Sequence, residues 1–514
     1  LSPDGKPREN SGRVVGAVLC WSGNFRMTVD TQGKSVHRLV AGIDDTNSHY
    51  TLGKGETFTT PELALSYSTE GMGGVSRNYH NWARRNNKIH NGMALRKTLL
   101  NSWEGVYLNV SQAGMEKMMD GVKELGGELF VMDDGWFGGK YKRSVDDCAL
   151  GDWVTDTEKL PDGVPALEKA CAERGLKWGI WIEPEMTNTK SELYEKHPDW
   201  VICHPERTPR TGRGGTQLCL DMSNPDVQDF VFKVVDDIMT ETPNTYYIKW
   251  DCNRTISNYY SKNISNQGEF LHRYLIGLYK ILTKITSTFT NLLIESCSAG
   301  GNRFDLGMLA YFSQIWTSDD SDAIERLYIQ YGTSIVYPPT SMVGHVSVTP
   351  NHQTGRVTPF KTRGIVAMST NFGYELNPQV LSEQERELVK LQTKEYAKLR
   401  KVIYNSDFYR LRSPFLGNDC AWSFVSKNKS EFYVMYVRIL NAATNEFDWL
   451  LLKGLEPNKI YENVETKETF TGSELMNAGI LLPRHPYDFN GIMYHFKEKK
   501  KYFNEEKILR TSGE

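Results

Sequence analysis

Asp251 and Asp319 each close an apolar run, Tyr246-Tyr-Ile-Lys-Trp-Asp-Cys-Asn-Arg254 and Ile315-Trp-Thr-Ser-Asp319. A carboxylate in that position either caps the next helix or projects into the mouth of a barrel. Lys249 lies two residues before Asp251, so on a strand both point to one side. An adjacent ammonium keeps a carboxylate ionised, as a nucleophile requires. Asp319 is followed by Asp320 and Asp322. Crowded acids raise one another's pKa, which lets a carboxyl keep the proton that general-acid work needs. The same oxygens could instead hold a hard cation, although the spacing lacks the rest of a cation loop. One bare and one protonated carboxyl facing each other form a glycosidase pair.

Other side chains suit a sugar. Asp133 and Asp134, ahead of Gly135-Trp136, could accept hydrogen bonds from vicinal hydroxyls, or could serve a helix cap and a salt bridge. Trp103, Trp181 and Trp316 fall at the ends of apolar segments, where their faces could stack on a pyranose or fill a core. Glu183 and Glu185 are further acids that could orient neighbours, and His345 reads as a structural histidine. Gly71-Met-Gly-Gly74 lacks a following Lys-Ser/Thr and is no phosphate loop.

These residues need a scaffold that gathers distant segments. Six segments begin as buried-strand runs and end in polar groups: Leu99 to Glu104, Leu129 to Asp134, Trp178 to Glu183, Tyr247 to Asp251, Leu292 to Cys297 and Ser313 to Asp319. Helical patterns at 111–125, 165–174, 226–239, 269–286 and 323–336 alternate with them. Weaker strands near Ser341–His345 and Asn371–Tyr374 complete eight. Such a series closes into a (β/α)8 TIM barrel whose site lies at the carboxyl ends of its strands. Asp251 and Asp319 then stand about two strands apart.

Residues 1 to about 85 read as all-β, from Arg13-Val-Val-Gly-Ala-Val-Leu, Phe25-Arg-Met-Thr-Val and Glu62-Leu-Ala-Leu-Ser-Tyr-Ser. Ser382 with Glu385 opens a long helix through a capping box. Strands at Ala421–Ser426, Glu431–Val437 and Trp449–Leu452 follow. The expected organisation is an N-terminal β-sandwich remnant over 1–88, a barrel over 89–405 and a C-terminal antiparallel β-sandwich over 406–514.

A chain of 514 residues exceeds one ordinary core. A net charge of −3 gives no reason to expect nucleic acid or an anionic membrane as partner. No apolar run reaches the length of a membrane span. The eight cysteines lack a close C-x-x-C pair, which argues against a zinc ribbon, and no His/carboxylate cluster has metal-ligand spacing, so no metal or other cofactor is expected. Lys497-Glu-Lys-Lys-Lys501 reads as a solvated face. Leu1-Ser-Pro-Asp-Gly-Lys-Pro reads as the middle of something, so an upstream portion is expected to be missing, and the compartment stays open.

Five motifs in order now carry a resemblance. They are Met132-Asp-Asp-Gly-Trp-Phe, Trp181-Ile-Glu-Pro-Glu-Met, Ile248-Lys-Trp-Asp-Cys-Asn-Arg, Glu295-Ser-Cys-Ser-Ala-Gly-Gly-Asn-Arg-Phe-Asp and Ile315-Trp-Thr-Ser-Asp-Asp-Ser-Asp-Ala. The set resembles the bacterial α-galactosidases of glycoside hydrolase family 36 over nearly the whole chain. The resemblance implies an N-terminal β-supersandwich, of which this chain holds the end, a barrel and a C-terminal sandwich. It implies Asp251 as nucleophile and Asp319 as acid/base. It makes Asp133 and Asp134 ligands of the galactose 4- and 6-hydroxyls. Lys249, Asn253, Cys297, Gly300 and Trp181 become further contacts of that sugar, with Trp103 as a wall and Arg213 as a substrate-binding arginine; Trp316 is added from its own place at a strand end, on the same rim. An α-galactoside oligosaccharide is the implied partner, and a homo-oligomer, often a tetramer, the implied assembly. The chain departs from the family pattern at Cys252, where Met is common, at Ala299, where a third Gly is common, and in two extra positions in Gly212-Arg-Gly-Gly-Thr-Gln.

The expected reaction is retaining exo-hydrolysis of terminal α-galactose from raffinose- and melibiose-type sugars by double displacement, with the carboxyls about 5–5.5 Å apart. Three rivals stay open: an α-N-acetylgalactosaminidase on the same scaffold, an α-galactosyl transglycosylase, and a sugar-binding protein without turnover.

Overall fold

The computed structural model describes residues 1–33, 36–443, 447–484 and 486–499. They divide into two compact units, Leu1–Ala397 and Lys398 onward. In the first, eight parallel strands close into a barrel in chain order: Leu99–Asn101, Leu129–Met132, Lys177–Ile182, Thr245–Trp250, Leu293–Ser296, Gln314–Trp316, Met342–Ser347 and Asn371–Glu375. Six of the eight are buried along their whole length, the third all but its exposed first residue and the fourth all but the half-buried Tyr246, which is why they read as largely continuous apolar runs. Register aligns Trp181 with Lys249, Lys249 with Glu295 and Glu295 with Gln314. One polar row thus crosses the third to sixth strands just below the mouth.

The helices start where their caps allow. Ser111 accepts from Gly114 N before Gln112–Glu124, and Asn224 accepts from Asp226 N before Pro225–Glu241. Ser382 and Glu385 exchange the expected capping bonds ahead of Glu383–Ile403.

The N-terminal part differs from the all-β expectation. Val14–Cys20 pairs with Glu62–Ser68, and Phe25–Gln32 with Val36–Ile43, as two separate antiparallel pairs. Gly71–Arg85, however, is a helix. Its glycines hid it, since glycine disfavours helix interiors. They are there for contact: a Cβ on Gly74 would meet Ser68 Oγ at 2.1 Å. Val75, Tyr79 and Ala83, at helical spacing, pack with Val14, Val18 and Ile315.

The second unit holds a six-stranded antiparallel sheet and a two-stranded pair in which Trp449–Leu450 is shorter than expected. Its core includes Phe432, Val434, Tyr436, Tyr461 and Phe496. Lys497 and Lys499 are exposed, and the rest of that lysine run lies outside the described residues. All eight cysteines are unpaired thiols.

Candidate active site

The carboxyl ends of the strands bring the expected residues together at one mouth. Asp251 follows the fourth strand, held by its own N–H to Ile182 O (2.8 Å). Its carboxylate accepts from Cys252 N (2.7 Å), Asn253 Nδ2 (2.8 Å) and Trp181 Nε1 (3.3 Å). Asp251 is only 6% exposed. Three N–H donors converging on one carboxylate favour its charged form.

Asp319 follows the sixth strand and is built differently. It is exposed to solvent at the mouth although the walls surround it. Trp316 Nε1 donates to Oδ1 (2.9 Å), with Cys297 Sγ 3.9 Å from the same oxygen. Desolvation pushes the Asp319 carboxyl above its ordinary value and the charge of Asp251 adds to this, while Lys249, the Trp316 N–H and Arg326 pull it back. Gly300 makes this corner possible. It sits at φ +79°, and a Cβ there would meet Asp319 N at 2.7 Å and Ser318 Cα at 2.8 Å.

Two expectations about charge need correction. Lys249 does not ion-pair with Asp251; its Nζ donates to Asp133 Oδ2 at 2.9 Å, two strands away. A buried ammonium needs a close counter-charge, and Asp251 is already supplied by N–H groups. Burial would lower the Lys249 pKa, but Asp133 first, then Cys297, Glu375 and Glu295, raise it well above the usual value. Nor do Asp320 and Asp322 raise Asp319. Asp322 caps the helix Ala323–Thr333, accepting from Ile324 N and Glu325 N, and pairs with Arg356 at 2.6 Å. Its oxygens are therefore engaged.

Asp133 also accepts from Asn101 Nδ2 (2.6 Å) and Asp134 N (2.9 Å). Asp134 is gripped by Arg143, Nε to Oδ1 at 3.0 Å and Nη2 to Oδ2 at 2.7 Å. The salt-bridge reading of Asp134 therefore holds, and both carboxylates still border the mouth. Trp103 starts a short helix, Trp103–Val106, instead of ending a strand. The Arg213 guanidinium lies 5.9 Å from the Trp103 ring centroid and pairs with Asp146. Trp181 and Trp316 are buried; the Trp316 ring lies 4.4 Å from the Arg326 guanidinium and 4.6 Å from the His345 ring. Trp316 thus serves Asp319 through its N–H more than it offers an open stacking face.

The second carboxylates brace the first. Glu185 is wholly buried and receives Arg303 (2.8 and 3.1 Å), Trp250 Nε1 (2.9 Å) and Tyr274 OH (3.1 Å), which locks the loops after the third and fifth strands. Glu183 Oε1 accepts from Gln217 Nε2 (2.9 Å) and Asn253 N (2.5 Å). His345 bonds Glu375 at 3.0 Å, and burial drops its pKa to about 3, which keeps it neutral and structural. Sequence reasoning missed Asn101, Arg143, Gln217, Arg326 and Glu375. Only Asn101 and Glu375 carried a signal, as polar strand ends. Arg143 lies in an irregular loop, where no periodicity marks its partner.

Comparison with known proteins adds a third line. Residues 57–406 match the melibiase family model, 3–53 the glycosyl hydrolase family 36 N-terminal domain and 419–496 the family 36 C-terminal domain. Alpha-galactosidase AgaA of Geobacillus stearothermophilus is 43% identical over 494 residues, which cover 95% of this chain and 66% of that protein. Alpha-galactosidase Mel36A of Lactobacillus acidophilus is 40% identical over 503 residues, covering 96% and 67%. The solved structure of an AgaA variant in complex with raffinose matches with a TM-score of 0.93 at 42% identity, covering 96% of this chain and 68% of that one. The chain thus spans about two thirds of the length of these relatives. With its barrel, its ordered motifs and a family model over most of its length, the chain belongs to glycosyl hydrolase family 36.

Proposed function

We propose that this protein is a retaining exo-α-galactosidase that releases terminal α-linked galactose from raffinose- and melibiose-type oligosaccharides. One observation carries the reading: two aspartates at one barrel mouth occupy opposite environments, Asp251 buried among three N–H donors and Asp319 open to solvent with a raised carboxyl. Asp251 attacks the anomeric carbon while Asp319 protonates the departing glycosidic oxygen. Asp319, now a base, takes a proton from water, which displaces Asp251 and restores the configuration. The complex of a family 36 relative with raffinose supports the substrate class.

In this reading Asp133 and Asp134 accept from the galactose 4- and 6-hydroxyls, held rigid by Lys249, Asn101 and Arg143. Asn253, Trp181, Cys297 and Gly300 shape the wall between the two acids, Trp103 with Arg213 forms the outer rim, and the buried Trp316 backs Asp319 through its N–H. Assembly as a homotetramer belongs to the same proposal, and light scattering on the purified protein decides it.

The deciding experiment compares aryl α-galactoside with aryl α-N-acetylgalactosaminide and records the first-formed anomer by proton NMR. Faster turnover of the galactoside with α-galactose appearing first is the expected outcome. Preference for the acetamido sugar, net transfer at modest acceptor concentration, or β-galactose appearing first would each overturn the reading.

A further inference from the structure

Behind Asp251 lies a carboxyl that the mechanism above leaves without a task. Glu183 follows the third strand and is wholly buried. Its two oxygens differ sharply. Oε1 receives two donors, Gln217 Nε2 and Asn253 N, whereas Oε2 is buried with no hydrogen-bond partner. A bare buried carboxylate oxygen is costly, because nothing replaces the water it has lost. Gln217 has the complementary defect: its Nε2 is engaged, but its Oε1 is buried without a donor. One proton on Glu183 Oε2 removes the charge from that stranded oxygen and turns it into a donor within a side-chain pair that still holds a stranded acceptor, Gln217 Oε1. The two side chains are already bonded through their other atoms.

Asn253 carries the consequence to the reacting centre. Its backbone N–H is fixed by Glu183, and its side-chain amide donates to Asp251 Oδ2 at 2.8 Å. Glu183 therefore sets the residue that sets the nucleophile.

We infer that Glu183 is a positioning residue that works as a neutral carboxylic acid, seating Asn253 against Asp251 without adding its own negative charge behind the nucleophile. The inference deepens the galactosidase reading and rests on it. The charged surroundings agree with it. Burial first, then the charge of Asp251, push the Glu183 carboxyl up to about 8, against the Asn253 N–H, Arg143 and Arg213, which favour ionisation. Cys219 and Cys252, the neighbouring thiols, are themselves pushed up by burial and stay uncharged. A negative charge nearby disfavours ionisation of a buried carboxyl, as burial itself does.

Glu183→Gln keeps a neutral group of the same shape, and kcat is expected to stay within about fivefold of wild type, the scale of one altered hydrogen bond. Glu183→Ala frees the Asn253 backbone, and kcat is expected to fall on the order of 10²-fold or more with little change in KM. On a dinitrophenyl galactoside, whose departure needs no proton, the alkaline limb of wild type is expected near pH 8 and to be absent in Glu183→Gln. A Gln variant as slow as the Ala variant would overturn the inference, because a charged carboxylate would then be required. Infrared spectroscopy gives a readout free of substrate. Wild type at neutral pH should show a carboxylic-acid carbonyl band that disappears above pH 8 and is missing in Glu183→Gln; no such band would also overturn it. Failure of wild type to hydrolyse any galactoside would sink the functional reading alone, and the infrared result would still decide the state of Glu183.

Discussion

The corner after the fourth strand and the corner after the sixth hold the same side chain and treat it in opposite ways. Asp251 is buried, held by three N–H donors and backed by Glu183 through Asn253. Asp319 is open to water, takes one indole N–H, and faces the negative charge of Asp251. The lesson is that role follows from donors and access, not from residue type. A nucleophile must point one way and stay charged, so it is held by several N–H groups. An acid/base must exchange a proton with a leaving group and then with water, so it is left reachable and lightly bonded.

The contrast can be broken from either side. Under the proposed mechanism Asp251→Ala removes the attacking oxygen, and kcat on an aryl α-galactoside is expected to drop on the order of 10⁴-fold or more. Near-normal turnover would erase the distinction between the corners. Asp319→Asn should cost about 10²–10⁴-fold on raffinose, where the leaving group needs a proton, but far less on a dinitrophenyl galactoside. Equal losses on the two substrates would mean that Asp319 does something other than deliver a proton.

Smaller changes sharpen the contrast. Arg143→Met leaves Asp134 buried without its bidentate partner, and chemical denaturation should report a loss of about 3–5 kcal/mol. An unchanged midpoint would mean that Asp134 finds water instead. Trp316→Phe deletes the N–H that stabilises the charged form of Asp319. Its pKa should then rise further above the ordinary value. The acid form is the active one for the first step, so activity is lost as pH rises through that pKa, and the alkaline limb should move to higher pH with a several-fold change in rate. A shift to lower pH would contradict the stated role of the indole.

Legibility in the sequence follows the same physics. All eight barrel strands were readable because strands buried on both faces leave continuous apolar runs, and the weakest two still sat between helical patterns. Asp251, Asp319, Asp133 and Asp134 were readable because each interrupts such a run at its carboxyl end. The helix Gly71–Arg85 was not, because its glycines answer to close packing on Ser68, a tertiary demand that local propensity does not record. The pairing of Lys249 was misread for a related reason. Spacing of two along a strand gives a shared side, but the counter-charge came from Asp133, two strands round the barrel. Arg143 comes from an irregular segment and Gln217 from a three-residue strand, Gln217–Cys219, and only the folded chain defines their partners.

The most direct measurement traps the covalent intermediate. A fluorinated galactosyl inactivator with a good leaving group, incubated with the protein and followed by peptide mass spectrometry, should leave one galactosyl ester, carried by Asp251, with recovery of activity as the ester turns over. A label on Asp319, or complete hydrolysis with no ester on Asp251 at any time, would contradict the division of labour between the two corners.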